Sequence, residues 1–149
     1  MKTKTTVRKI NLKHFPFDYS QVDDLREIQH RLFDLGGELS IPEYVIIDKS
    51  DVDNLEKNID YYNENLEPLK DFIIPGGSIS SGQVHICRTL TREAEIQLIE
   101  CQQIEKNVNE NALKYLNRLS DYFFVLARLI LFNENKTEVL WETKKTDPK

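Results

Sequence analysis

Apolar residues recur at spacings of three and four along most of the chain, which is the period of an amphipathic α-helix. Four helices are predicted, at about residues 20–40, 50–67, 79–107 and 109–133. Ser20 and Ser50 are each followed three residues later by an aspartate, a spacing typical of an N-terminal capping box, and Ser78 is a third candidate cap. The pattern therefore predicts an all-α fold, an up-down bundle of four main helices.

Each predicted helix has an apolar stripe that should face the core. The stripe of the first helix is Val22, Leu25, Ile28, Leu32, Leu35 and Leu39; that of the second is Val52, Leu55, Ile59, Tyr62 and Leu66; that of the third is Val84, Cys87, Thr91, Ala94, Leu98 and Cys101. No internal repeat or strand-rich region interrupts this pattern. We predict two regions, a basic N-terminal arm at residues 1–19 and a helical bundle at residues 20–149.

The connector before the third helix, residues 69–79, is unusually apolar for a loop. Gly76 and Gly77 permit backbone conformations that other residues avoid, and they indicate either a simple turn or a cradle for an anion at a helix N-terminus. The C-terminal residues 141–149 are polar and predicted to be loosely ordered, with Trp141 a candidate for docking onto the bundle.

Net charge, the length of apolar runs and the number of cysteines exclude several classes of protein. The chain has 149 residues and a formal net charge of −5, which argues against a general affinity for nucleic acid. Residues 1–17 nevertheless carry five basic residues and no acid, so this segment is either an arm for phosphates or a solvated tail. No apolar run approaches the roughly 18 residues that span a bilayer, so no membrane partner is expected. The polar N-terminus and only two cysteines predict a reduced, cytoplasmic protein.

Two helices carry polar stripes that a core does not explain. On the third, Arg88, Arg92 and Glu95 fall within an arc of about 60° at 100° per residue, and Ser81 and His85 lie on the same face. Two arginines one turn apart repel each other unless an anion lies between them. The stripe indicates either a phosphate site or an exposed Arg/Glu ladder.

On the fourth helix, Asn117, Asp121, Phe124 and Arg128 form a similar line. An asparagine beside an aspartate suits a ligand with hydroxyl or amine groups, such as ribose or adenine. The alternative is an interhelical hydrogen-bond pair that fixes the register of the bundle.

Three segments in this order make the sequence more specific: Phe72-Ile-Ile-Pro-Gly-Gly-Ser78, then His85-Ile-Cys-Arg-Thr-Leu-Thr-Arg-Glu-Ala-Glu95, then Tyr115-Leu-Asn-Arg-Leu-Ser-Asp121. Together they resemble the PduO-type ATP:cob(I)alamin adenosyltransferases. The resemblance covers roughly residues 22–148. It implies a bundle of five helices, one more than the four predicted here, that assembles as a homotrimer. It also implies transfer of the 5′-deoxyadenosyl group of ATP to the cobalt of cob(I)alamin.

The resemblance also implies roles for particular residues. Phe72 would lie against the lower face of the corrin and displace the lower axial ligand, and with Arg92 it forms the expected catalytic pair. Arg92 would hold the triphosphate, Glu95 the nucleotide or its Mg²⁺ environment, and Asn117 the ATP. The cobalt itself is the nucleophile, so no protein nucleophile or protein-held metal is expected.

Arg88 and Asp121 are expected in intersubunit or structural roles, Arg88 in a salt bridge between subunits. Two features depart from the family pattern. Residues 1–19 match neither the Thr-Gly-Asp segment that wraps the ATP phosphates nor the Asp-Glu-Leu-Asn block of the first family helix, and Glu93 stands where a second arginine is usual. The alternative to a working enzyme is a truncated or diverged relative that binds corrinoid, or an oligomeric helical module without catalysis.

Overall fold

The computed structural model describes residues 19–41, 43–105 and 107–144. They form four helices, α1 (Tyr19–Ser40), α2 (Lys49–Asn63), α3 (Ile79–Ile104) and α4 (Glu110–Asn133). Across these ranges the only pairing of β type is an isolated bridge between Ile73 and Leu140. The predicted all-α bundle is confirmed. The basic arm at residues 1–19 lies almost wholly outside the described residues.

Helix α4 is the centre of the bundle and packs against both α2 and α3. Its C-terminal half, residues 119–131, is buried at every position except Asp121 and Phe124, and Leu119, Leu126 and Ile130 are fully buried. Burial on nearly every side of this half requires neighbours on several sides, which agrees with the central position of α4. None of the helices in the described ranges is long and apolar enough to cross a membrane.

Helix α1 joins the bundle through only part of its predicted stripe. Ile28 and Leu35 are buried, whereas Val22, Leu32 and Leu39 are more than a third exposed. Polar contacts add to this small apolar contact between α1 and the bundle. The carboxylate of Asp24 accepts hydrogen bonds from the hydroxyls of Tyr62 and Tyr122, two buried tyrosines of α2 and α4.

Two predicted caps are wrong and two helix starts are confirmed. Ser20 lies inside α1, and the capping box of α2 is formed by Asp48 and Asp51 rather than by Ser50 and Asp53. Asp48 is the stronger acceptor, and the hydroxyl of Ser50 donates to it at 2.6 Å. Ser78 and Asn109 cap α3 and α4 respectively.

The connector between α2 and α3 makes a tight turn at its two glycines. Gly77 has a φ of +87°, and a Cβ built there would lie 2.9 Å from Cδ2 of the buried Leu131. Only glycine meets both requirements without strain. The connector is also paired with the C-terminal segment, where Trp141 docks as predicted and contacts the ring of Phe72.

The buried face of α3 only partly matches the predicted stripe. Val84, Thr91 and Leu98 are buried as predicted. Cys87 and Ala94 are exposed instead, and the polar Ser81, His85 and Glu95 are buried against α4. The polar stripe identified from the sequence is therefore largely an inward face. It can be buried because its members find partners: the Ser81 hydroxyl donates to the carbonyl of Ala127 at 3.1 Å.

Candidate functional site

An open groove between α2, α3 and α4 forms a cavity of about 320 Å³. It is lined by Val52, Glu56, Glu95, Ile99, Leu113, Lys114, Asn117 and Arg118. The apolar members suit the face of a planar ring, and the polar members suit hydrogen bonds at its edge. We call this cavity the α2–α4 groove.

Glu95 is the buried polar centre of the α2–α4 groove, with only 7% of its surface exposed. Its Oε1 accepts a hydrogen bond from Nδ2 of Asn117 at 2.8 Å, and its Oε2 accepts one from Arg92. Asn117 in turn accepts from Arg118 at 2.7 Å through its Oδ1. Each partner fixes the orientation of the next, so these side chains are held in place before any ligand binds.

The basic groups around this network remain accessible. The side chain of Arg92 is 49% exposed, and only its Nη1 bonds Glu95. Lys114 and Arg118 line the same cavity from α4. A guanidinium held by a carboxylate on one edge presents its other N–H groups to an anion, and phosphate oxygens match that geometry.

A second cavity, of about 520 Å³, lies beside the connector. Its lining is Leu69, Lys70, Asp71, Phe72, Ile73, Arg88 and Phe124. Phe72 is 78% exposed, so its ring is accessible to a ligand in this cavity. We call this cavity the Phe72 pocket.

Arg88 reaches the Phe72 pocket from α3, where its Nε donates to Nδ1 of His85 at 3.4 Å. Burial, together with the positive charge of Arg88, lowers the pKa of His85, so the imidazole is neutral at pH 7 and accepts this bond. No carboxylate lies within ion-pair distance of Arg88 among residues 19–41, 43–105 and 107–144. The acidic partner expected for Arg88 is not found within that part of the chain.

The two cavities open on the same seam between α3 and α4. Arg88 and Phe124 line one, and Glu95 and Asn117 line the other. The separation is seven residues on both helices, or two turns, which corresponds to about 10 Å along the helix axis. A ligand in one cavity is therefore within reach of a ligand in the other.

The structure brings together most of the residues that the sequence singled out. Arg92, Glu95 and Asn117 form one network, and Phe72 and Arg88 line one cavity. Asp121 does not pair with Asn117, because it forms an ion pair with Arg118 at 2.9 Å along its own helix. The interhelical bond of Asn117 goes to α3 instead.

Two basic residues of the α2–α4 groove, Lys114 and Arg118, were missed by the sequence reasoning. Lys114 is three residues before Asn117 and four before Arg118, spacings that place it beside each of them on the helix surface. That spacing was a usable signal. The sequence indicated that Trp141 docks but not where, because its partner Phe72 lies more than 60 residues away along the chain. The sequence reasoning did not single out Glu138, although its partner Arg128 is only ten residues away.

Comparisons with known proteins identify the family. A family model described as cobalamin adenosyltransferase matches residues 6–130. The chain is 47% identical over 121 residues to a cobalamin adenosyltransferase of Cupriavidus metallidurans, with 81% of this chain and 65% of that protein covered. It is 45% identical over 111 residues to a corrinoid adenosyltransferase of Bacillus subtilis, with 72% and 56% covered.

A solved structure supports the same family and fold. It is a variant PduO-type ATP:corrinoid adenosyltransferase from Lactobacillus reuteri complexed with cobalamin and ATP, with a TM-score of 0.77 and 34% identity. The match covers 88% of this chain and 76% of that one. The chain thus spans about two thirds or less of the length of the curated relatives named above. By its family model, its relatives and its fold, the chain belongs to the cobalamin adenosyltransferase family.

Proposed function

We propose that this protein transfers the 5′-deoxyadenosyl group of ATP to the cobalt of cob(I)alamin. The C5′–O bond of ATP breaks, triphosphate leaves with the bonding pair, and a cobalt–carbon bond forms with the electron pair of cobalt. The observation that carries the proposal is the pair of cavities on the α3–α4 seam. One offers hydrogen-bonding and basic groups for a nucleotide, and the other offers an exposed aromatic ring for a corrin.

The nucleotide belongs in the α2–α4 groove in this proposal. Arg92, supported by Lys114 and Arg118, provides positive charge for the triphosphate, which also makes triphosphate a better leaving group. Asn117 contacts the adenosine. Glu95 holds Arg92 and Asn117 in orientation through its two carboxylate oxygens. Positioning of this kind is a major part of catalysis when the protein supplies no nucleophile.

Mg²⁺ is expected to arrive with ATP rather than to reside on the protein. The described residues include no group of three or more His, Cys, Asp or Glu side chains able to hold a metal ion. A magnesium ion bound to phosphates needs only one or two protein carboxylates, and Glu56 and Glu95 line the groove. The fit is therefore to a metal–nucleotide complex.

The corrinoid belongs in the Phe72 pocket. The exposed Phe72 ring presents an apolar surface to the lower face of the corrin, where the axial ligand would otherwise coordinate cobalt. A cobalt without that ligand is more easily reduced to the nucleophilic state. The free thiols Cys87 and Cys101 suit a reducing compartment, and we place the reaction in the cytoplasm.

A spectrophotometric assay tests the function directly. Purified protein, chemically reduced cob(I)alamin and Mg-ATP are expected to yield adenosylcobalamin, with Arg92→Met raising the KM for ATP and Phe72→Ala lowering turnover. Arg26→Met is the matched control, because Arg26 is an exposed arginine whose ion pair with Asp23 lies on α1, away from the seam.

Corrinoid binding without ATP-dependent adenosylation would overturn the proposal. That outcome would favour the diverged relative that binds corrinoid but lacks chemistry. Binding of neither ligand would favour the oligomeric helical module.

We further propose that the chain assembles as a homotrimer, as the family resemblance implies. Helix α3 carries a row of exposed apolar side chains, Ile79, Ile86, Leu90 and Ile104, which a neighbouring subunit would cover. A neighbour would also supply the acid for Arg88. Analytical ultracentrifugation is expected to give a trimer and Leu90→Glu a smaller species. A wild-type monomer would contradict this assembly.

A further inference from the structure

The connector that carries Phe72 is fastened by residues near the C-terminal end of the described chain. The backbone N–H of Ile74 donates to the carbonyl of Val139 at 2.7 Å, and the N–H of Trp141 donates to the carbonyl of Phe72 at 2.7 Å. The residues between these two bonds form an antiparallel bridge. We call residues 138–141 the C-terminal strap.

A buried ion pair anchors the C-terminal strap to the bundle. Arg128 of α4 is only 5% exposed, and its Nε and Nη2 lie 2.5 and 3.3 Å from the carboxylate oxygens of Glu138. The same Nη2 donates to the backbone carbonyl of Glu67 at 2.7 Å. One guanidinium therefore fixes three segments: the central helix, the start of the connector, and the strap.

An aromatic contact supports the side chain of Phe72 within the connector. The rings of Phe72 and Trp141 meet edge to face, with centroids 6.4 Å apart and planes at 77°. Trp141 is not among the residues that line the Phe72 pocket, so it supports the ring from outside the cavity. Phe72 makes few other contacts, as its exposure indicates, so Trp141 limits the orientations available to its ring.

We propose that the C-terminal strap positions Phe72 for the corrinoid, with Trp141 orienting the ring and the Arg128–Glu138 pair holding the strap in place. This inference rests on the proposed function, in which Phe72 contacts the lower face of the corrin. Trp141 and Glu138 are positioning residues, because they act through Phe72 and touch no substrate.

The test compares Trp141→Ala with Trp141→Phe. Both variants keep the backbone bond to Phe72, but only the phenylalanine keeps an aromatic ring. Trp141→Ala is expected to lower kcat about fivefold, the effect of losing one aromatic pair, without changing the KM for ATP. Trp141→Phe should recover most of the loss. Glu142→Gln, an exposed carboxylate in the same segment, is the matched control.

A spectroscopic measurement separates positioning from general damage. The EPR spectrum of protein-bound cob(II)alamin with ATP reports whether a lower-ligand nitrogen still couples to cobalt. Trp141→Ala is expected to retain more of that coupling than the wild type or Trp141→Phe. Glu138→Gln should have the same effect, with faster amide exchange at Ile74 and Trp141.

Wild-type kcat and EPR spectrum in Trp141→Ala would overturn the inference while leaving the proposed function intact. Faster exchange in Glu138→Gln without a change in the EPR spectrum would also overturn it, because the strap would then be purely structural. An inactive wild-type protein that leaves cob(II)alamin unchanged would overturn the proposed function itself, and the positioning role with it.

Discussion

Replacing Glu95 by glutamine removes one charge from the α2–α4 groove and leaves the length of the side chain unchanged. The two carboxylate oxygens of Glu95 serve two different donors, Asn117 Nδ2 and Arg92. Glutamine has one acceptor oxygen, and its NH₂ group would face the second donor. Asn117 cannot solve this by flipping its amide, because its Oδ1 accepts from Arg118 at 3.2 and 2.7 Å.

The loss in the free energy of unfolding depends on which of the two donors, Asn117 or Arg92, is left without an acceptor. An unsatisfied donor in a site as buried as that of Glu95 costs about 1–3 kcal/mol. The bond to Arg92 contributes less, about 1 kcal/mol at most, because half of the Arg92 side chain is exposed and water screens the pair. We therefore expect Glu95→Gln to lower the free energy of unfolding by about 1–3 kcal/mol.

Urea denaturation followed by circular dichroism measures this loss. Glu93→Gln is the matched control, since Glu93 is an exposed carboxylate on the same helix, and it should change stability by less than about 0.5 kcal/mol. In a background of Asn117→Ala, which removes the competing donor, Glu95→Gln should cost about 1 kcal/mol less than in the wild type. Equal stability of Glu95→Gln and Glu93→Gln would refute the reasoning.

Other positions give independent tests. Gly77→Ala should destabilise the protein by about 2–4 kcal/mol, because alanine would be strained at this positive φ and its Cβ would clash with Leu131. Gly36→Ala is the control, since a Cβ there meets open space within α1, and it should be neutral or stabilise the protein by up to about 1 kcal/mol. Thermal unfolding measures both. His85 has a lowered pKa because of burial and Arg88, so the unfolded chain binds the proton first and stability should fall as the pH drops below about 6.5. His85→Gln should reduce the slope of the free energy of unfolding against pH, below pH 6.5, by up to about 1.4 kcal/mol per pH unit. The same slope in wild type and variant would contradict this prediction.

Within the part of the chain that the structure describes, the sequence predicted the type and order of the four helices correctly. Their apolar period of three and four is set by the geometry of the α-helix, which acts over a few residues and so can be read locally. The starts of α3 and α4 were also predictable, because Ser78 and Asn109 satisfy N–H groups only two or three residues away. The cap of α2 was misassigned because Asp48 and Ser50 are both good caps, and the carboxylate is the one that bonds the helix N–H groups.

Only part of the candidate site could be predicted from the sequence, since Lys114 and Arg118 were missed, and its arrangement could not be predicted. Spacing placed Arg92 and Glu95 on one face, and the family resemblance added Phe72 and Asn117. Which way that face points could not be read from the sequence, because burial of Glu95 depends on a donor from another helix. A polar side chain can face the core when a partner is in place, and Asn117 lies 22 residues away along the chain.

The sequence by itself determined that residues 19–144 contain the helices of an all-α bundle and the residue blocks of a cobalamin adenosyltransferase, since periodicity and motifs are local properties. Only the tertiary structure decided that Glu95 is buried at the centre of a hydrogen-bond network, and that the C-terminal strap pairs with the connector that carries Phe72. The physical reason is the same in both cases. A buried charge is tolerated only beside its partners, and the partners of Glu95 and Arg128 include groups on other segments that folding alone brings within hydrogen-bond distance.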